Sequence, residues 1–243
     1  MKILSAGDRV RPGTYSVHAR FSRSVLLFSG PRRALFVVDR SIGPGPLNLV
    51  LADPSAFVPG NSLRIAPRDL PARYVSSMPR PVDLGRLLRA LNRSLPRHAP
   101  PGSLASLLFP LPPPASRLVR ARDAYLREAL RLAETGNLPS AVERIRGCGE
   151  GLTPSGDDFL CGWMLACRLR GNPRAARALL PLSLGANPVS NAFLELSAAG
   201  RVNRPVRRLL EKPAAPRVAA ACSFGHTSGA DLLCGLLHGL RLP

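Results

Sequence analysis

Lysine is almost missing from this 243-residue chain: Lys2 and Lys212 are the only two, although Lys and Arg together number 34. The formal charge of +19 is therefore written in arginine, and the arginines are scattered. Their densest group, Arg201, Arg204, Arg207 and Arg208, fills one helix-sized stretch. Aromatic residues make up 5%, which leaves few of the stacking platforms that hold single-stranded nucleic acid. Scattered arginine without such platforms describes a solvated basic surface. It argues against a specific nucleic-acid partner and leaves a general preference for anions. No apolar run approaches the roughly 18 residues of a membrane span, so no membrane partner is expected. The start, Met1-Lys2-Ile3-Leu4-Ser5-Ala6, lacks a long apolar h-region, and a cytoplasmic address is the expectation. A Cys-x-x-Cys pair is lacking as well. The five cysteines, Cys148, Cys161, Cys167, Cys222 and Cys234, are odd in number and confined to the second half. Neither a disulfide framework nor a zinc site fits them.

What is present in quantity is hydrophobic residue, at 45%, enough for a sizeable core. The first 75 or so residues read as β. Tyr15–Phe21, Val25–Phe28, Ala34–Val38, Leu47–Leu51 and Ser62–Ile65 are separated by turn signals such as Gly30-Pro31, Gly43-Pro44-Gly45-Pro46 and Pro59-Gly60-Asn61. Spacing this short leaves no room for crossover helices and predicts a mainly antiparallel sheet or small barrel. From Val82 the period changes, with Leu84, Leu87, Leu88, Leu91 and Leu95 on one helical face. A proline-rich passage from Pro96 to Pro114 reads as an extended connection and as the boundary between halves. Beyond it the chain reads as helical. Over 115–135 the in-phase residues are Leu118, Ala121, Tyr125, Leu126, Ala129 and Leu132. Leu138 to Ile145 predicts a short helix, and further helices are expected near 156–170, 173–184, 188–199, 203–211, 214–222 and 229–241. The fold class is α+β: a β-rich part over 1–80, a helix and proline-rich connection over 81–115, and a helical part over 116–243.

One phrase is said twice. Ser155-Gly156-Asp157-Asp158-Phe159-Leu160-Cys161-Gly162 recurs 73 positions later as Ser228-Gly229-Ala230-Asp231-Leu232-Leu233-Cys234-Gly235. Each copy follows a glycine-bearing turn, 147–154 and 225–227. Both read as helix starts, with Ser155 and Ser228 as N-caps and Asp158 and Asp231 as capping-box acids. Two such turns offer free backbone N–H groups and the positive ends of two helix dipoles, a device suited to a small polar or anionic ligand. Cys161 and Cys234 share a slot in the echo and read as small apolar contact residues.

Capping alone would explain one acid at each start, so the pair Asp157 and Asp158 is in surplus, and at least one is a candidate for binding or catalysis. Asp157, matched by Ala230, is the acid peculiar to the first copy. Gly149, Gly151 and Gly156 allow close approach of a ligand to the backbone, and Thr153 and Ser155 add hydroxyls beside it. Ser155 lacks the surroundings of a nucleophile; the motif is not Gly-x-Ser-x-Gly and no base is near in sequence. In the second copy Thr227, Ser228, Gly229 and Asp231 are the candidate substrate-binding residues, and His226 is a candidate catalytic residue. His18, His98 and His238 read as surface or packing residues. Glu150 is an acid held in a tight turn. No cofactor is required, although Asp157, Asp158, Asp231 and His226 make a set that suits Mg²⁺ or Mn²⁺.

On these residues the chain resembles the AllH family, once catalogued as a domain of unknown function. Gly147-x-Gly149-x-Gly151-Leu152-Thr153-Pro154-Ser155-Gly156-Asp157-Asp158-Phe159-Leu160-x-Gly162, with Gly225-His226-Thr227-Ser228-Gly229-x-Asp231-x-Leu233-x-Gly235, is similar to that family's signature. The likeness extends loosely over the chain and includes Gly45-Pro46-Leu47-Asn48-Leu49. In 187–194 a threonine common in such proteins ahead of a Ser-containing helix is absent. The resemblance implies a subunit of an oxamate carbamoyltransferase, which in anaerobic allantoin degradation turns oxalurate and phosphate into oxamate and carbamoyl phosphate. It also implies other subunits as partners and a small anionic substrate. A non-catalytic scaffold or regulatory subunit is the alternative.

Overall fold

A computed structural model describes residues 2–54, 57–70 and 73–242. The chain is α+β and divides into two compact units, Met1–Met78 with Arg201–Arg207, and Pro79–Gly200 with Arg208–Pro243. The proline-rich passage lies inside the second unit, and the division falls at Met78/Pro79.

The first unit is a seven-stranded curled sheet: β1 Ile3–Gly7, β2 Gly13–Arg20, β3 Ser24–Ser29, β4 Arg33–Val38, β5 Asn48–Leu51, β6 Ser62–Ile65 and β7 Arg73–Tyr74, in the order β6-β2-β3-β4-β5-β1-β7. Most pairings are antiparallel, as short connections require, but β4–β5 and β1–β7 are parallel. The β4–β5 case needs no crossover helix. Its ladder covers only Phe36↔Asn48 to Val38↔Val50, about 10 Å of strand, and the residues between Val38 and Asn48 reach about 30 Å when extended. Asn48 holds that return by donating from Nδ2 to the Gly43 carbonyl at 2.9 Å. One face of the sheet encloses Tyr15, Val17, Leu27, Leu35, Val37, Leu49 and Ile65. Asp8 accepts from the Ser76 hydroxyl at 2.6 Å and from Arg201 at 2.7 Å, which ties the late segment 201–207 into this unit.

The helical elements are α1 Leu84–His98, α2 Arg117–Glu134, α3 Leu138–Ile145, α4 Ser155–Leu169, α5 Pro173–Ser183, α6 Pro188–Ala198, α7 Arg204–Glu211, α8 Ala215–Cys222 and α9 Ser228–Arg241. Asp83 caps α1, accepting from the Arg86 N–H at 2.8 Å, and Leu87, Leu91 and Leu95 fill its buried face. The centre of the second unit is α4. Every residue from Ser155 to Ala166 is buried, so this helix has no solvent face and is packed on all sides. It lies against α9 at backbone contact. A Cβ on Gly162 would fall 1.9 Å from the Leu232 carbonyl oxygen, and one on Gly235 1.8 Å from that of Phe159. The two glycines occupy the same slot of the echo, so the repeated phrase also encodes a crossing at which neither helix tolerates a side chain.

The helical phase of α2 differs from the sequence expectation. Its buried residues are Asp123, Leu126, Ala129, Leu130 and Ala133, whereas Leu118 is 65% and Tyr125 47% exposed. The Leu118–Ala121–Tyr125 stripe faces a cleft, not the core.

Candidate functional site

The two turns are built on one plan. In each, a short helix (α3 or α8) runs into a glycine turn that feeds a long helix (α4 or α9). The Gly156 N–H donates to the Cys148 carbonyl at 2.8 Å, and the Gly229 N–H to that of Phe224 at 3.0 Å. A Cβ on either glycine would fall 1.9 Å from a carbonyl of the preceding helix, Ile145 or Ala221. Gly149 has φ +119°, in the range that favours glycine, and its Cα faces the Ser155 backbone.

The serines are not N-caps. The caps are Pro154 and Thr227, Ser155 and Ser228 are first helical residues, and neither start carries a side-chain cap bond. The physical reason is that turn carbonyls already satisfy the Gly156 and Gly229 N–H groups, which frees the hydroxyls for the carboxylates. The capping-box roles of Asp158 and Asp231 are corrected on the same ground. Asp158 accepts from the Thr153 hydroxyl at 3.0 Å, and Thr153 lies 3.1 Å from the Ser228 hydroxyl of the other copy. Asp231 accepts from the Leu104 N–H at 2.7 Å. The pairing crosses over: the Ser228 hydroxyl helps hold the charge of Asp158, and the Ser155 hydroxyl that of Asp231.

All three carboxylates lie beneath the turns, buried. Asp157 fastens the first turn by accepting from the Gly147 N–H at 2.7 Å. Burial drives the Asp158 carboxyl well above the ordinary carboxylate range; Asp231 and Asp157 add to the rise, while Ser228 and Thr153 oppose it. Burial raises Asp231 to about 6, against the Leu104 N–H, the Ser155 and Thr227 hydroxyls and the Arg122 cation. Asp231 Oδ2 itself has no hydrogen bond of good geometry.

Above them opens a cleft of about 670 Å³. Arg122 and Tyr125 of α2, with Ser116 at its N-cap, form one wall, Cys148, Gly149, Glu150 and Ser155 a second, and His226 with Thr227 a third. Of the residues singled out in sequence, Gly149, Glu150, Ser155, His226 and Thr227 line this cleft. Thr153 and Ser228 are half-buried behind it; Gly151 is exposed and Gly156 and Gly229 are buried. Asp157, Asp158, Asp231 and His226 do not form a metal cluster, and no group of three or more His, Cys, Asp or Glu placed to hold an ion occurs among the described residues. The backbone N–H groups of Gly149, Glu150, Ser155, His226 and Thr227 donate no hydrogen bond among the described residues. Ser155 and Thr227 stand at the two helix starts and Gly149, Glu150 and His226 in the turns that lead into them, and these groups are left for water or a ligand.

Sequence reasoning missed Arg122 and Cys148. Arg122 is adjacent in sequence to the buried Asp123, a charge pair on a helix whose expected apolar stripe is buried at Leu126 and Ala129 but not at Leu118 and Tyr125. Cys148 sits in the turn between glycines; burial raises its thiol, Asp123 and Asp157 add to this, and Arg122 opposes it.

Among known proteins, residues 145–240 match the family model described as oxamate carbamoyltransferase subunit AllH. The match begins at the end of α3 and ends within α9, so it takes in both turns, α4 and the crossing glycines. No solved structure matches the chain. Among the described residues no helix is long and apolar enough to cross a membrane.

Proposed function

Taking residues 145–240 as an AllH-like segment, we propose that this chain serves a carbamoyltransferase of the oxamate type. Its part is to hold a small anionic carbamoyl or ureido compound, or phosphate, in the cleft between the two turns. The observation that carries the reading is a set of residues from the two turns and their helix starts that line one cleft and whose N–H groups donate no hydrogen bond among the described residues. Such donors, with the positive ends of two helix dipoles, favour a carboxylate or phosphate. Oxalurate offers a carboxylate at one end and ureido N–H groups at the other, for which Glu150 and the Ser155 hydroxyl are the acceptors at the cleft. In the phosphorolysis, a phosphate oxygen bonds to the carbamoyl carbon and the bond from that carbon to the oxamate nitrogen breaks. The proton released from phosphate passes to that nitrogen. His226, exposed at the cleft, is the group in place to carry it. Asp157, Asp158 and Asp231 act from beneath, fixing the turn and its hydroxyls.

The helix crossing at Gly162 and Gly235 favours a second reading, a scaffold subunit in which the repeated phrase only locks α4 to α9. Thermal shift of the full chain against oxalurate, oxamate, carbamoyl phosphate and phosphate, each with and without Mg²⁺, separates the two. A ligand that binds the native state alone stabilises it by about 2.7 kcal/mol at a hundred times its Kd. A rise in Tm with at least one of the four is expected; a flat response to all favours the scaffold.

A further inference from the structure

Arg122 differs from most arginines of this basic chain in being nearly buried: its side chain is 12% exposed and that of its partner Asp123 1%. Both Nε and Nη2 of Arg122 donate to Asp123 Oδ1, at 3.0 and 2.7 Å. Asp123 is fixed in turn by the Ser106 hydroxyl, which donates to its other oxygen at 2.5 Å. Taking two charges out of water is costly and such a pair is weak as a source of stability. What it does achieve is geometric. The guanidinium is clamped along one edge, and Nη1 carries no hydrogen bond among the described residues. The end-on face formed by Nη1 and Nη2 is thus left over in a side chain that lines the 670 Å³ cleft. Arg122 stands near both turns: its charge is felt by the Cys148 thiol of the first and by Asp231 at the start of α9. A clamped guanidinium presents two parallel donors to a planar oxyanion, and Arg surpasses Lys there.

We infer that Arg122 is the charge-selecting residue of the cleft, taking the carboxylate or phosphate oxygens of the ligand on its free edge while Asp123 and Ser106 hold it in place. The inference rests on the reading of the cleft as a ligand site, and goes beyond it in assigning the anionic end to α2 and not to the turns alone. Arg122 and the turn N–H groups then share the anionic end of the molecule between them. A neutral analogue should fit the same cleft with little regard to Arg122.

The test is isothermal titration of the full chain and of Arg122→Gln and Arg122→Lys with oxamate, inorganic phosphate and the neutral diamide oxamide. Circular dichroism and Tm confirm that each variant is folded. A charge-assisted contact of this kind corresponds to a weakening of about 10- to 100-fold. Arg122→Gln should lose that factor for oxamate, for phosphate or for both, and leave the affinity for oxamide within about twofold. The anion that is lost identifies which group sits on Arg122. Arg122→Lys, which keeps the charge without the fork, should fall between. Should Arg122→Gln misfold, Arg122→Lys decides the matter: anion affinity equal to the parent's overturns the inference. If the parent binds oxamate or phosphate and Arg122→Gln binds each such anion as tightly as the parent, the cleft remains a ligand site and only the role of Arg122 falls. If the parent binds none of the three probes, both readings fall together.

Discussion

In the first copy of the repeated phrase five residues, Glu150 to Pro154, separate the turn glycine Gly149 from the helix serine; in the second, His226 and Thr227 alone separate Gly225 from Ser228. The frames around them agree: the same carbonyl contact under Gly156 and Gly229, and the same crossing at Gly162 and Gly235. The difference is in what the frame carries. The longer turn brings an acid, Glu150, to the cleft, sends Thr153 across to the other copy, and has its own acid, Asp157, to fasten it to Gly147. The shorter turn brings a histidine and has Ala230 where Asp157 would be. A duplicated scaffold has thus kept its packing and divided its polar groups between the copies.

The strongest way to break the comparison is at the shared crossing. Gly162→Ala and Gly235→Ala should each cost at least about 3 kcal/mol in urea unfolding, because a Cβ under 2 Å from a backbone carbonyl forces the helices apart. The two losses should be alike. A tolerated alanine at either site would show that the frames are not equivalent.

The next effect concerns the buried acids. A carboxyl whose folded pKa is raised binds its proton more tightly folded than unfolded. Its contribution is therefore present at low pH and is lost as pH rises through the folded value. For Asp231 the window runs from about 4 to about 6, and the loss is about 3 kcal/mol at most. Asp158 acts with the same sign, further above the ordinary range. Asp231→Asn keeps the acceptor for Leu104 and supplies a neutral partner for the hydroxyls. It should flatten stability between pH 4 and 6, measured by Tm at constant ionic strength. An unchanged slope would mean that Asp231 titrates as in the unfolded chain.

A smaller change makes the copies more alike. Asp157→Ala removes the acceptor for Gly147 and gives the first helix the alanine of the second. A loss of about 1.5–3 kcal/mol is expected, with faster hydrogen exchange at the Gly147 amide. Exchange at Phe224, whose turn has no such acid, should stay the same.

Much of this was legible in the sequence, and unevenly so. The α+β class, the internal strands and most helix boundaries followed from period and turn signals. The echo led to both turns, and the AllH resemblance stated on it holds over residues 145–240. β1 and β7 went unseen because Ile3-Leu4-Ser5-Ala6-Gly7 shows no polar–apolar alternation and β7 is only two residues long. Ser155 and Ser228 look like caps from composition alone; only the turn carbonyls reveal that the N–H groups are already satisfied. The greatest loss was at α2. A half-exposed stripe of Leu118, Ala121 and Tyr125 has the period of a core face, and a buried Asp123 contradicts the rule that acids face water. The stripe lines the cleft, and Asp123 lies behind it holding Arg122 at the cleft wall.

The central claim is that two helix starts serve one anion site. Its most direct test is an ¹⁵N-resolved titration of the full chain with oxamate, and separately with phosphate, following the amides of Gly149, Glu150, Ser155, His226 and Thr227. The account predicts that amides of both turns shift together and fit a single Kd for at least one of these anions. Shifts confined to one turn, two unrelated affinities, or no response at either turn to both anions would contradict it.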